Sequence, residues 1–224
     1  MLGAAEERAA IHQVGRRVRD RAAQDLSGAA DATTIFVNLH PQDLLDDDLI
    51  HPESALASVA SRVVLEITER AALSSVDNLH LRVRQLRRLG FRIAVDDLGA
   101  GYSSLNNVAD LEPEFIKLDM SLVRNIEQSV TKQKIVSSVV ALAAAMGTSI
   151  VAEGIETSAE CRALVDLGCV LLQGFLFARP ERNFPAVDWI GMSGSRPTSD
   201  SSPELRAASG VHPIPFHYSS TRTG

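Results

Sequence analysis

The stretch from Arg92 to Ser104, RIAVDDLGAGYSS, decides the reading of the whole chain. An apolar run, Ile93 to Val95, ends in two adjacent carboxylates, Asp96 and Asp97. A glycine-rich loop follows at once, Gly99-Ala100-Gly101, and then Tyr102, Ser103 and Ser104. Two like charges side by side at the end of a buried strand are costly unless a cation neutralises them. The stretch therefore points to a divalent metal site beneath a mobile loop. The competing reading is an Asp helix cap followed by a turn.

Working outward, the same ending recurs. Val63-Val64-Leu65 runs into Glu66 and on to Glu69, and Phe115-Ile116 into Lys117-Leu118-Asp119. Ile150-Val151-Ala152 runs into Glu153-Gly154-Ile155-Glu156, Ile35-Phe36-Val37 into Asn38, and Val170-Leu171-Leu172 into Gln173-Gly174. Short apolar runs of this kind read as buried parallel strands. Each ends in groups that bind hard cations or phosphate.

Amphipathic patterns at helical spacing separate the runs. They are Ile11, Val14, Val18 and Ala22; Val76, Leu79, Val83, Leu86 and Leu89 before Gly90; Ile135, Val136, Val139, Val140, Ala143 and Met146 before Gly147; and Ala159, Ala163, Leu164 and Leu167 before Gly168. Such stripes are expected to face a core, and the glycines to stop the helices. Alternating strands and helices predict an α/β fold with a parallel sheet. Polar groups at many strand ends favour a barrel's catalytic face. An open doubly wound sheet would gather them at one switch point.

Composition fits a folded domain: 45% hydrophobic and 22% charged residues in a chain of 224. The net charge of −6 argues against a DNA or anionic-membrane partner. No membrane-spanning run or signal-peptide pattern is present, so a cytoplasmic location is expected. Cys161 and Cys169 lack zinc-ligand spacing and read as small core or near-surface residues. The histidines form no metal pattern; His40, just past Asn38, is placed to touch a ligand, but a loop or supporting role is the better reading. Asp46-Asp47-Asp48 lies away from any strand end and is expected on a solvated face or at a helix start. The domain is expected over residues 1–190. The segment 191–224, rich in Ser, Pro, Gly and Thr, is expected to be disordered.

The ordered motifs resemble the EAL-domain family of cyclic-di-GMP phosphodiesterases. They are FVNL around Asn38, LEITE from Leu65 to Glu69, VDDLGAGYSSL from Val95 to Leu105, FIKLD from Phe115 to Asp119, VAEGIET from Val151 to Thr157, and LLQGFLFARP from Leu171 to Pro180. The resemblance implies a TIM-barrel-like EAL fold holding Mg²⁺ or Mn²⁺ at the C-terminal ends of its strands. Hydrolysis of a phosphodiester needs an activated water and neutralised phosphate oxygens, and hard cations on carboxylates supply both. By resemblance, Asn38, Glu66 and Asp96 hold one metal, and Asp97 reaches toward a second. Asp119 and Glu156 complete or support the metal shells. Lys117 places positive charge beside the water or phosphate, and Glu153 is the general base or the partner that orients the lysine. Gln173 positions water or substrate, and Glu69 braces the loop that starts at Asp97. Through Tyr102 and Ser104, the loop from Asp97 to Ser104 is also where the family's domains pair into homodimers.

The chain departs from the family pattern in places. Leu98 stands where the family has Phe, Ala100 where it often has Thr, and His40 where it often has Ser. The larger departure is that residues 1–224 contain no Glu-Ala-Leu motif. The expectation is therefore an incomplete domain lacking about two N-terminal strands, with exposed sheet edges that invite self-association. Hydrolysis of cyclic-di-GMP to pGpG is expected to be weak or lost. The alternative is a catalytically inactive EAL module that binds cyclic-di-GMP or a protein partner.

Overall fold

Every apolar run singled out in the sequence is a strand. The structure, a computed structural model, describes residues 2–31, 33–68, 76, 78–99, 104–180 and 212–213. These fall into two units: residues 2–96 with 104–114, and residues 97–99 with 115–180 and 212–213.

The first unit contains α1 (Leu2–Ser27), β1 (Ile35–Leu39), β2 (Val63–Thr68), α2 (Leu79–Leu89), β3 (Arg92–Leu98, up to Asp96) and α3 (Ser104–Leu111). β1 pairs with β2 and β2 with β3, both parallel. Val63, Val64 and Leu65 are all fully buried, as a strand covered on both faces requires. α2 buries Leu79, Val83 and Leu86, and it stops at Gly90, whose φ of +103° is left-handed. The chain after Tyr102 reads as loop in the sequence, yet α3 begins at Ser104.

α1 corrects one expectation. Val14 is exposed, and the buried side is Arg19, Ala22, Ala23 and Leu26. Helix spacing alone does not reveal that an arginine will take a core position. Arg19 is buried because it meets Asp43 at 3.1 Å and Asp46 at 2.6 Å. The Asp46–Asp48 run is corrected by the same contacts. Asp46 is buried between Arg16 and Arg19, while Asp47 is exposed and Asp48 partly open.

The second unit contains β4 (Phe115–Leu118), α4 (Met120–Val123), α5 (Val130–Met146), β5 (Ser149–Ala152), α6 (Ser158–Asp166) and β6 (Leu171–Leu172). β4 pairs with β5 and β5 with β6, again parallel. α5 ends at Gly147, at φ +71°. Its stripe is not uniformly core-facing: Val136 and Ala143 are buried, whereas Ile135 and Met146 are exposed. Both cysteines are buried, which decides for the core over the near-surface alternative, and burial pushes the Cys169 thiol up to about 12.

The tail expectation falls on residues outside the described set, except for β7 (His212–Pro213), whose backbone pairs parallel with β6. Among the described residues no helix is long and apolar enough to cross a membrane.

Candidate functional site

In the first unit the strand register gathers polar groups at one end of the sheet. Asn38 lies opposite Glu66, and Thr68 opposite Asp96. Asn38 is exposed, while Glu66 and Asp96 are buried. Two buried carboxylates on adjacent strands must be compensated by their neighbours or by a cation.

In the second unit Asp97 opens a tight turn. Its φ of +63° is left-handed, a costly conformation for a residue with a Cβ. Gly99 follows at φ +111°, and a Cβ there would meet Leu122 Cδ1 at 2.5 Å. The turn is thus pressed onto α4, and only glycine fits. The register of β4 on β5 sets Lys117 opposite Val151 and Leu118 opposite Ala152, so Glu153 leaves β5 beside the end of β4. The Glu153 N–H donates to the Leu118 carbonyl at 3.3 Å. Lys117 Nζ then meets Glu153 Oε1 at 2.5 Å, with Lys117 buried and Glu153 partly open. Carboxylate oxygens of Asp97 and Glu153 lie within 4.8 Å of one another.

The remaining expected residues are held differently. The Asp119 N–H donates to the Leu98 carbonyl at 3.1 Å, and its side chain accepts the Ser121 N–H at 2.8 Å, capping α4. Glu156 is half-exposed and meets Arg124 Nη2 at 2.6 Å. Gln173 ties the next strand end into place: its N–H donates to the Ala152 carbonyl at 2.8 Å, and its carbonyl accepts the Ile155 N–H at 3.1 Å. Glu69 and Tyr102 lie outside the described residues, and of Ser104 only the backbone, at the start of α3, is described.

Two residues escaped the sequence reading. Glu160 is fully buried, and its carboxylate accepts N–H bonds from Asn125, Glu156 and Thr157 at 3.0, 3.0 and 3.1 Å. Burial raises its pKa, but these bonds and the Arg124 charge outweigh that and hold the group below its ordinary value. Arg124 bridges Glu160 and Glu156. The signal was legible: Thr157-x-x-Glu160 is a capping box.

The donor set suits a hard divalent cation. Asp97 and Glu153 offer oxygens close together, and no thiolate or imidazole belongs to the cluster.

A parallel α/β chain with carboxylates and a lysine at its strand ends defines a class of domains that work at that face of the sheet. The chain belongs to the EAL-domain family, whose model matches residues 1–180. It is 40% identical over 147 residues to the cyclic di-GMP phosphodiesterase RocR of Pseudomonas aeruginosa, covering 64% of this chain and 38% of that protein. It is 35% identical over 187 residues to the bifunctional diguanylate cyclase/cyclic di-GMP phosphodiesterase MucR of the same organism, covering 80% of this chain and 27% of that one. The chain thus spans well under half the length of these curated relatives. Among solved structures, the PaMucR phosphodiesterase in complex with c-di-GMP matches at TM-score 0.67 and 32% identity, over 80% of this chain and 81% of that one. Klebsiella pneumoniae BlrP1, in a manganese and c-di-GMP complex, matches at TM-score 0.65 and 34% identity, over 79% of this chain and 45% of that chain. The fold is therefore the TIM-barrel-like EAL fold.

Proposed function

We propose that this chain is a cyclic-di-GMP module that binds the dinucleotide with Mg²⁺ or Mn²⁺ and hydrolyses it slowly to pGpG. The observation that carries the reading is the Lys117–Glu153 pair at 2.5 Å beside the Asp97 turn. A bound hard cation supplies Lewis-acid stabilisation of the phosphate and a lowered water pKa. The chain's own residues do the rest. Glu153 accepts the proton of the attacking water. Lys117 holds Glu153 in place and offers positive charge to the developing oxyanion. Asn38, Glu66, Asp96 and Asp97 are the proposed cation ligands, Asp119 and Glu156 support them, and Gln173 orients substrate. Slow turnover is proposed for residues 1–224 taken by themselves, which supply no Glu-Ala-Leu glutamate to the ligand set.

The proposal includes a cytoplasmic setting and pairing of two copies through the Asp97–Ser104 loop, which light scattering against concentration checks. The second reading, binding without turnover, is favoured by one observation: Asp119 and Glu156 are already engaged by Ser121 and Arg124.

The test is calorimetric binding of c-di-GMP with Mn²⁺, Mg²⁺ or Zn²⁺, together with chromatographic detection of pGpG. Binding with Mn²⁺ or Mg²⁺ and slow pGpG release are expected. Binding without product selects the second reading. No binding with either ion overturns both.

A further inference from the structure

We infer that Glu160 is a positioning residue: it anchors α4, the short helix that sets the spacing between the Asp97 and Glu153 carboxylates. The inference rests on the proposed metal-dependent reading of that site. Every residue it uses lies in the second unit.

α4 is wedged between the two segments that carry those carboxylates. On one side Gly99 presses the Asp97 turn onto Leu122, leaving no room for a Cβ. On the other, a Cβ at Gly154 would lie 2.7 Å from Met120 Cβ, so the chain just after Glu153 is pressed onto the same helix. Backbone bonds run beside both contacts: the Asp119 N–H donates to the Leu98 carbonyl at 3.1 Å, and the Glu153 N–H to the Leu118 carbonyl at 3.3 Å. Contacts this close transmit a shift instead of absorbing it. Where α4 sits therefore decides how far apart the two carboxylates stand.

A helix of four residues does not hold its own place, being far below the length at which helices persist alone. Asp119 caps its start. Its end is held by Glu160, which is 1% exposed. Arg124 closes the helix, its N–H donating to the Met120 carbonyl at 2.8 Å. Glu160 Oε1 accepts the N–H of the next residue, Asn125, at 3.0 Å and lies 3.5 Å from Arg124 Nη1. Its Oε2 accepts the N–H groups of Glu156 and Thr157 at 3.0 and 3.1 Å. A capping box asks only for the Thr157 bond. The Asn125 bond is additional, and it joins the end of α4 to the chain three residues beyond Glu153.

The experiment separates anchoring from capping with Glu160→Gln. An amide has one acceptor oxygen. Set at the Oε2 position, that oxygen keeps two bonds and the cap, and turns the NH₂ group toward Asn125 and Arg124. Hydrogen exchange of the Asn125 amide in the metal-free protein reports release of the anchor, and Mn²⁺ titration without nucleotide reports the site. Ser129→Ala is the control, because it removes the cap of α5 without touching α4. Circular dichroism and melting follow each variant. Glu160→Gln is expected to speed Asn125 exchange and to weaken Mn²⁺ about 10- to 100-fold. Ser129→Ala is expected to melt lower while keeping its Mn²⁺ Kd within about twofold of wild type. Arg124→Lys alters a partly open side chain, and a single ammonium reaches one of the two carboxylates that the guanidinium bridges. It is expected to weaken Mn²⁺ about threefold, and it decides the matter if Glu160→Gln does not fold. Unchanged Asn125 exchange, unchanged Mn²⁺ affinity, or equal Mn²⁺ losses in Glu160→Gln and Ser129→Ala overturns the positioning role and leaves the proposed function standing. A folded wild type that binds neither Mn²⁺ nor Mg²⁺ overturns the proposed function itself.

Discussion

In the first unit, Arg16 and Arg19 close on Asp46, each at 2.6 Å, while in the second Lys117 meets Glu153 at 2.5 Å and Arg124 meets Glu156 at 2.6 Å. The distances are alike, but the surroundings are not. Asp46 is 1% exposed, and both its oxygens are in use. Arg16 bonds it twice, Arg19 once, and the Asp48 N–H adds a fourth donor. Arg19 also faces Asp43 at 3.1 Å, as an ion pair without hydrogen-bond alignment. Asp43 in turn accepts the His40 N–H, in the turn just past β1. Asp46 itself is saturated, and the network ties α1 to that turn. Glu153 and Glu156 are 19% and 47% exposed and sit where strand β5 runs out into a loop. Buried, saturated charge holds a fold together, while half-open charge at a strand end remains available to a ligand.

The sharpest way to break this contrast is to neutralise one carboxylate in each unit. Glu153→Gln keeps the side chain's shape and removes the base. It is expected to lower pGpG formation at least about 100-fold, the usual scale of general-base catalysis. Asp46→Asn should leave the rate per folded molecule within about twofold. Initial rates with Mn²⁺, corrected for the folded fraction by circular dichroism, decide it. Equal losses in both variants would show that the networks do not differ in role.

Stability should respond in the opposite sense. Asp46→Ala leaves buried Arg19 with Asp43 at 3.1 Å and the partly open Asp48 at 3.9 Å, and is expected to cost about 3–5 kcal/mol, the scale for removing one partner of a buried pair. Urea denaturation measures this. A loss below about 1 kcal/mol would mean that the network relaxes into water instead of holding α1.

The strands were legible because a strand buried on both faces writes itself as a continuous apolar run, and each run here ended in a distinct polar residue. Lys117 and Glu153 were legible for the same reason. The Arg19–Asp46 network was not, because its partners lie in different elements and no local pattern joins a helix arginine to a loop aspartate. Glu160 was visible only as a capping box, and sequence does not say that the same carboxylate also receives the Asn125 N–H. Asp119 carries a contact that its motif does not announce: its side chain caps α4.

Acid separates the two regions with a smaller effect. Burial opposes ionisation of Asp46, but the Arg16 bonds, the Asp48 N–H and the nearby Arg19 charge win, lowering its pKa from 3.8 to about 2. A carboxylate depressed in the folded state stabilises the fold above its unfolded pKa and loses that contribution as pH falls through the folded one. About 2 kcal/mol of stability is therefore expected to disappear between roughly pH 5 and pH 2. In Asp46→Asn this part of the pH dependence should vanish. Urea midpoints across that range for both proteins provide the check, and parallel curves would assign the acid sensitivity to Glu160 or another carboxylate.

The smallest expected stability change belongs to Glu156→Ala. Its partner Arg124 keeps Glu160 at 3.5 Å, and the Glu156 pair is open enough for solvent to screen it. Pairs of that kind contribute about 0–1 kcal/mol, and the backbone N–H of Glu156 still donates to Glu160 without its side chain. The variant should therefore melt within a few degrees of wild type, which makes it a clean probe of the other role proposed for this residue. If Glu156 supports the cation shell, Mn²⁺ affinity falls by about 10- to 100-fold, the scale of outer-shell losses. If Mn²⁺ affinity is unchanged, then Glu156 serves Arg124 alone, and the half-open charge of the second unit narrows to Lys117 and Glu153 beside the Asp97 turn.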